Sequence, residues 1–267
     1  MKTGLKNKHV LVTGASGGIG LETVEAFLME ECKVSACYHS KKRRLNELSD
    51  TYPDSLSLFK ADVRKEEEVA ALYESAISTF ARVDVSIANA GIANATPVGI
   101  HEMTTEQWDN TLAVNLRGAF LTAKYFFKNL REHPARDASL ILVGSTAGVF
   151  GEAWFADYST SKAGMGGLMM SLKNEIVHLA RRGRVNIVNP GWTATPMAED
   201  ALEDRERLSK ILQTIPMRKV ATPSDITNAM VYLASDRLSG HVSGETITVA
   251  GGMEGRVLFS NEEVLQD

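Results

Sequence analysis

Residues 13–20 of this chain read TGASGGIG. They follow the apolar run HVLVT at 9–13 and open a stretch of helical spacing that reaches about residue 30. Glycines at 14, 18 and 20, set between a strand and a helix, restrict the local fold severely. Gly14 permits a tight turn, Gly18 lets backbone approach a pyrophosphate, and Gly20 lets the helix lie close to the sheet. The helix start then offers free N–H groups and a positive dipole end to phosphates. A glycine cluster alone is compatible with a flexible loop; one placed between a strand and an amphipathic helix is a nucleotide-binding signal.

The rest of the chain repeats the same alternation. Strands are expected at 33–38, 56–60, 83–88, 140–145, 184–189 and 246–249. Between them fall helical stretches: one opened by Lys41-Lys42-Arg43-Arg44, one over 65–80 with Val69, Leu72, Ala76 and Phe80 on one side, and one over 104–130. Two more cover 157–180 and 223–235, the last with Ser224 and Asp225 supplying its start. Seven strands alternating with helices predict an α/β fold, a doubly wound parallel sheet covered on both faces. No repeat, low-complexity stretch or linker divides the chain, so 1–267 is expected to form a single domain. Residues 193–215 read as an irregular lid with one charged helix, and the polar tail 253–267 as ordered only against a neighbour.

Within that frame, Ser145 ends the fifth strand, with Tyr158 thirteen residues on and Lys162 four further. If a helix starts near Asp157, Tyr158 and Lys162 share a face one turn apart. A phenol titrates near 10 in water, too high for acid–base work at neutral pH. An ammonium about 5 Å away, at an effective dielectric near 20, favours phenolate by roughly 3 kcal/mol, or about two pH units. Tyr158 is then poised to exchange a proton with an alcohol or carbonyl oxygen, and Ser145 to donate a hydrogen bond to that oxygen. Alone, a Tyr-x-x-x-Lys spacing is ordinary helix surface.

Composition narrows the classes. A net charge of −4 gives no reason to expect nucleic acid or an anionic membrane as partner. No apolar run approaches membrane-spanning length, and glycine and serine interrupt the apolar stretch after Val12, so no signal core is seen. Cys32 and Cys37, on or beside one extended strand, lie about 16 Å apart, too far for a disulfide. These features predict a cytoplasmic protein with no metal site.

Together, TGASGGIG, Asp62-Val63, Asn89-Ala90-Gly91, Asn115, Ser145, YSTSK at 158–162 and Pro190-Gly191 resemble the short-chain dehydrogenase/reductase family, in that family's order and approximate spacing. The match runs from Lys8 to Gly252. Two departures are visible: Ala88 stands where a second Asn often precedes Asn89, and Asn189 where a small apolar residue is common. The resemblance implies a Rossmann-type sheet and a catalytic tetrad of Asn115, Ser145, Tyr158 and Lys162. In it, hydride passes between nicotinamide and a substrate carbon while the tyrosine moves the proton. Lys162 would lower the tyrosine pKa and hold the nicotinamide ribose, Asn115 a relay water, and Ser145 the carbonyl. For the cofactor it implies Ser16 and Ile19 in the phosphate turn and Asp62 and Val63 at the adenine. Asn89, Ala90 and Gly91 would lie along the adenosine side or central ribose. Pro190, Gly191 and Thr193 would flank the nicotinamide, with Thr195 at its amide or the phosphates. Strand-end turn chemistry is the alternative for Asp62 and Asn89.

The second strand bears on the choice of cofactor. NAD-selective folds place an acid about twenty residues past the glycine turn, and Tyr38 occupies that position here. With no carboxylate before Glu47, His39, Ser40 and Lys41–Arg44 are free to bind a 2′-phosphate, which favours NADP over NAD. Gly17, where many NADP-binding relatives carry an arginine, weighs the other way.

Phe150 and Trp154 lie between Ser145 and Tyr158, with Val149 and Phe155 beside them, and Trp192 and Met197 approach from the lid. That set predicts an apolar or aromatic substrate bearing a ketone or secondary alcohol, or else packing in the core or at a subunit contact. The resemblance points to a 3-oxoacyl-carrier-protein reductase, although Asn174 stands where such enzymes carry an arginine to grip the carrier, leaving Arg131. An NAD-dependent dehydrogenase of a sugar, steroid-like or other small secondary alcohol is the alternative, and a non-catalytic dinucleotide-binding protein a further one. By the same resemblance, the stretches 104–130 and 157–180 pair across two-fold axes in a homotetramer.

Overall fold

The computed structural model describes residues 2–94 and 96–264. Its sheet has seven parallel strands in the order β3-β2-β1-β4-β5-β6-β7. In chain order the elements are β1 (His9–Val12), α1 (Gly18–Met29), β2 (Lys33–Tyr38), α2 (Arg43–Thr51), β3 (Leu56–Lys60), α3 (Glu66–Phe80) and β4 (Val85–Ala88). They continue with α4 (Thr105–Leu112), α5 (Gly118–Glu132), β5 (Ala135–Val143), α6 (Ala147–Phe150), α7 (Ala156–Glu175) and β6 (Ala180–Pro190). The chain ends with α8 (Glu199–Glu203), α9 (Arg205–Leu212), α10 (Pro223–Ala234), α11 (Asp236–Ser239), β7 (Thr246–Val249) and α12 (Asn261–Val264).

Two-residue periodicity divides the core between the two sheet faces. Leu11, Leu140 and Leu142 point to one face and pack with Phe126, Leu130 and Met165. Val10, Val12, Ile141 and Val143 point to the other and pack with Val24, Phe27 and Met230. Each such fully buried side chain contributes roughly 1.5–3 kcal/mol. Strand order reverses between β1 and β4, so the turns after these two strands meet at one end of the sheet. Crevices at such a switch point are where open α/β sheets bind ligands.

Several boundaries differ from the sequence expectation. β5 begins at Ala135, five residues before 140, because the sheet pairs Ala135 with Ala180 and runs on to Val143 opposite Val188. α7 ends at Glu175, earlier than residue 180, since Ala180 already belongs to β6. The stretch over 104–130 is two helices joined by a π-turn at Ala113–Arg117, with Thr104 capping α4 through a bond from Gln107 N. α10 is capped by Thr222, whose side chain and Asp225 form a reciprocal capping box, while the Ser224 hydroxyl donates to Glu22. The stretch 193–215, expected to carry one charged helix, contains two, α8 and α9, separated by Asp204, which caps the second. The described tail, 253–264, bonds Gln213 and Arg218 of this chain. No helix among the described residues is long and apolar enough to cross a membrane.

Candidate active site

Ser145, Tyr158, Lys162 and Asn115 converge at the C-terminal end of the sheet. Ser145 follows β5, and its hydroxyl accepts from Ala147 N at 3.1 Å, which fixes the start of α6. Tyr158 and Lys162 lie one turn apart in α7, with Lys162 Nζ 5.7 Å from the Tyr158 ring centroid. Nζ donates to the Val143 carbonyl at 2.8 Å, tying the helix to the end of β5. Asn115 is buried in the π-turn and exchanges two hydrogen bonds with the Ile92 backbone, at 2.8 and 2.9 Å. Its amide also donates to Ser161 Oγ at 2.9 Å. Gly91 sits where these groups meet. A Cβ there would lie 3.3 Å from Lys162 Nζ and 3.4 Å from Asn115 Oδ1. π-bulges inside helices frequently mark functional positions.

The electrostatics reverse one expectation. Burial pushes the Tyr158 phenol above its usual value, and the neighbouring Ser145 hydroxyl only partly offsets this. Burial lowers Lys162 to about 8. Coulomb's law between two ions leaves out the cost of removing each from water, which acts on both groups here against their charged forms. Tyr158 is therefore held as a neutral phenol in the free protein.

On the nucleotide side, the glycine turn is braced by the turn after β4. Asn89 Nδ2 donates to the carbonyls of Thr13 and Gly14 at 2.9 and 3.1 Å, and Thr13 Oγ1 accepts from the backbone of Asn89 and Ala90 at 3.1 and 3.2 Å. The Asn89 amide nitrogen thus shapes the turn. Gly14 and Gly20 are required by close approach: Cβ atoms would lie 2.7 Å from Ala90 Cα and 2.2 Å from Gly14 O, respectively. The start of α1 carries no capping side chain and no acid in its first turn, beside Ser16, Gly18 and Ile19. Thr195 bears directly on this turn, since a Cβ on Gly18 would lie 2.7 Å from its Cγ2. An uncapped helix start behind a glycine cradle fits a dinucleotide's pyrophosphate.

Asp62 follows β3 and is held to about 2 by hydrogen bonds from Arg64 that outweigh its burial. Arg64 Nη2 lies 2.6 Å from Asp62 Oδ2, and Nη1 bonds Asn110 Oδ1 at 2.9 Å, linking this corner to α4. His39 Nε2 lies 3.8 Å from the same carboxylate. Val63 is buried against the start of α5, where a Cβ on Gly118 would meet its Cγ2 at 2.8 Å. Tyr38 ends β2 with Lys42 Nζ 5.8 Å from its ring centroid, next to exposed His39 and Ser40. Lys42 is the N-cap of α2 but provides no capping bond, and the first turn contains no acid. Cations at a helix start oppose its dipole, an arrangement that an anion relieves.

Phe150 and Trp154, on the segment between Ser145 and Tyr158, remain 43% and 60% exposed. Trp154 has φ 72°, an uncommon conformation for a bulky residue, held by its carbonyl accepting from Val98 N at 2.9 Å. Trp192, half-buried, packs against a small cluster of Ala201, Ile211 and Ile215. Pro190 accepts from Thr146 N, and Gly191 lies too close to Ala250, 2.7 Å from a would-be Cβ to its Cβ, to carry a side chain. Thr193 Oγ1 donates to the Gly191 carbonyl at 2.9 Å. The departure at Asn189 has a local reason: its Oδ1 fills the space a side chain on Gly144 would need, directly before Ser145.

Sequence reasoning passed over Arg64, Thr13 and Asp157. Asp157 is fully buried and accepts from Asn94 at 2.7 Å, Thr111 at 2.7 Å and Gln107 at 3.3 Å, all on Oδ2. Burial pushes its carboxyl up, but these donors and the Tyr158 backbone outweigh it and keep the carboxyl below its usual value. An acid next to Tyr158 at a helix start reads as a cap from sequence, and nothing local signals its distant donors. Among the described residues no cluster of His, Cys, Asp or Glu could hold a metal ion. Cys32 and Cys37 are free and buried, both thiols raised to about 12 by burial.

Comparison with known proteins agrees with this geometry. Residues 14–254 match the family model described as enoyl-(acyl carrier protein) reductase. The chain is 34% identical over 253 residues to 3beta-hydroxysteroid dehydrogenase 1 of Eggerthella lenta, covering 93% of this chain and 94% of that one. It is 35% identical over 251 residues to nodulation protein G of a Rhizobium species, covering 93% and 98%. A crystal structure from Brucella melitensis, titled a short-chain dehydrogenase/reductase of the glucose/ribitol dehydrogenase type, superposes with TM-score 0.86 at 28% identity, covering 95% of this chain and 99% of that one.

Proposed function

The chain belongs to the short-chain dehydrogenase/reductase family, and on that footing we propose that it reduces a bulky apolar ketone, or oxidises the matching secondary alcohol, with NADP(H). The observation that carries this reading is the Ser145 hydroxyl set against a neutral Tyr158 phenol, with Lys162 one turn away. A nicotinamide dinucleotide supplies the hydride chemistry. Tyr158 gives its proton to the substrate oxygen in reduction and takes it back in oxidation. Ser145 donates a hydrogen bond to the same oxygen and fixes the carbonyl. Lys162 keeps one N–H on Val143, and its remaining N–H groups would hold the nicotinamide ribose. Asn115 holds the loop after β4 through Ile92, which keeps Gly91 beside Lys162.

NADP is favoured by Tyr38 in place of an acid and by the cations around the uncapped start of α2. Val149, Phe150 and Trp154, exposed on the segment between Ser145 and Tyr158, and exposed Met197 after β6 supply apolar surface that suits a large hydrocarbon body. The name of the Eggerthella lenta relative adds steroid-like alcohols to the 3-oxoacyl compounds that the family resemblance implies. Asn174, where a carrier-gripping arginine is absent, bonds Met170 O at 3.1 Å and leaves Arg131 for that task. Exposed Phe120, Met170 and Val177 on and beside α5 and α7 support a homotetramer built on these helices.

The test is a scan of 3-oxoacyl thioesters, hydroxysteroids and small polyols with NADPH and NADH, followed by nicotinamide absorbance, with the Tyr158→Phe variant beside it. The expected result is turnover of bulky apolar substrates with NADPH, abolished in Tyr158→Phe while cofactor binding persists. Wild-type turnover by Tyr158→Phe would remove the proton assignment, and better use of NADH would remove the cofactor preference.

A further inference from the structure

The C-terminal tail is bound to the lid at several independent points. Leu258 N and Phe259 N both donate to the Gln213 carbonyl, at 2.7 and 3.3 Å, where α9 ends. The Arg218 guanidinium stands 5.3 Å from the Phe259 ring centroid, and its Nη1 donates to the Glu263 carbonyl at 3.2 Å. Arg218 has φ 48°, an uncommon left-handed backbone for a non-glycine residue, so the tail docks on a strained turn. α12 packs on α9 and buries Val264; its start is closed by Ser260 and Glu263, whose side chains each accept from the other's backbone N–H.

The same tail also reaches the site. Met253 packs against the lid core of Ala201, Ile211 and Ile215 that holds Trp192. At Gly255, φ is 76° and a Cβ would lie 3.2 Å from Phe150 Cβ and Cγ. Phe150 is the last residue of α6, five positions after Ser145. One segment therefore touches both the helical stretch after β6 and the end of α6, the short helix that Ser145 starts.

We propose that residues 253–264 act as a latch that holds α9 and Phe150 in place and so sets the size of substrate admitted. This rests on the reading of the site as one for a bulky apolar carbonyl compound. The latch acts by position: none of its residues takes part in proton transfer. Phe259 is a positioning residue, clamped by Arg218 outside the site.

The experiment compares the wild-type chain with Phe259→Ala and with a chain ending at Gly252. Hydrogen exchange is read at the amides of α9, and kcat and KM are read for a bulky and a small ketone with NADPH. Phe259→Ala removes one cation–π contact, so exchange in α9 is expected to speed up about five-fold while the sheet amides keep their rates. KM for the bulky ketone is expected to rise severalfold, with its kcat, the small ketone's KM and NADPH affinity all unchanged. The shorter chain is expected to enlarge the same changes. Unaltered exchange in α9 in both variants would overturn the latch, and so would faster exchange with an unchanged ratio of the two KM values. Faster exchange in the two variants, together with a wild type that turns over no apolar ketone, would leave the latch holding α9 and remove the substrate reading alone.

Discussion

Lys162→Met is expected to kill the chemistry and yet relieve the cofactor-free fold of a strain that depends on pH. Burial drops this lysine from 10.5 to about 8. That gap, at roughly 1.4 kcal/mol per pH unit, corresponds to about 3 kcal/mol lost from folding near pH 7, where both states carry the proton. Between about 8 and 10.5 the unfolded chain keeps the proton and the folded one releases it, so wild-type stability rises with pH across that window. Methionine removes the titration. It also strips the Val143 carbonyl of its donor, a loss of about 1–3 kcal/mol that does not vary with pH. The pH-dependent part is therefore cleanly separable. Urea unfolding of both proteins should show the stability of Lys162→Met, relative to wild type, falling by about 2 kcal/mol between about pH 7 and pH 9.5. A difference that stays constant over that range would refute the reasoning, and would mean that the buried ammonium is as well solvated by Val143 and its surroundings as in water.

Replacing Tyr38 by Asp puts a carboxylate where the adenosine ribose is expected, and should shift the ratio of kcat/KM from NADPH towards NADH by about tenfold or more, measured with one substrate. Asp157→Ala leaves Asn94, Gln107 and Thr111 without their common acceptor, and should cost about 3 kcal/mol, read as a fall in Tm of about 6 °C or more. In Asp157→Asn the acceptor survives, and most of that loss should be recovered. Because burial raises Tyr158, reduction should hold its rate through neutral pH while oxidation climbs with pH, compared as kcat/KM profiles in both directions. An oxidation profile already level at about pH 7 would count against a neutral phenol.

The strands and the turns at their ends were legible because each rests on local chemistry. The β1 run, the glycine spacing and the one-turn distance from Tyr158 to Lys162 are all read within a few residues. The long β5 was not, since Ala135–Asp137 is polar in part and is strand only because β6 offers it partners from Ala180 onward. The partners of Asn89, Thr13 and Gly14, lie some 75 residues away in sequence and are not signalled locally. The same is true of Asp157 with Asn94 and Thr111, and of Arg64 bridging to Asn110. The Tyr158 electrostatics failed for a different reason. Spacing reports which charges are near each other, but it does not report how much water each has lost.

That loss of water gives the proposed site its chemical bias. A tyrosine lowered towards neutrality by a fully charged lysine would serve as a base, and alcohol oxidation would be favoured at once. Here both partners are buried, so the neutral phenol is favoured and the ammonium is weakened to about 8. The pair stores its proton on Tyr158, which is the form that carbonyl reduction consumes. Regenerating it needs a proton delivered to a buried residue. Lys162, titrating only slightly above neutral and fixed to Val143 beside Gly91 and Asn115, is the adjacent group able to release one there. Depressing the lysine thus costs stability, but it brings proton exchange within reach of neutral pH, which a lysine at 10.5 would not do.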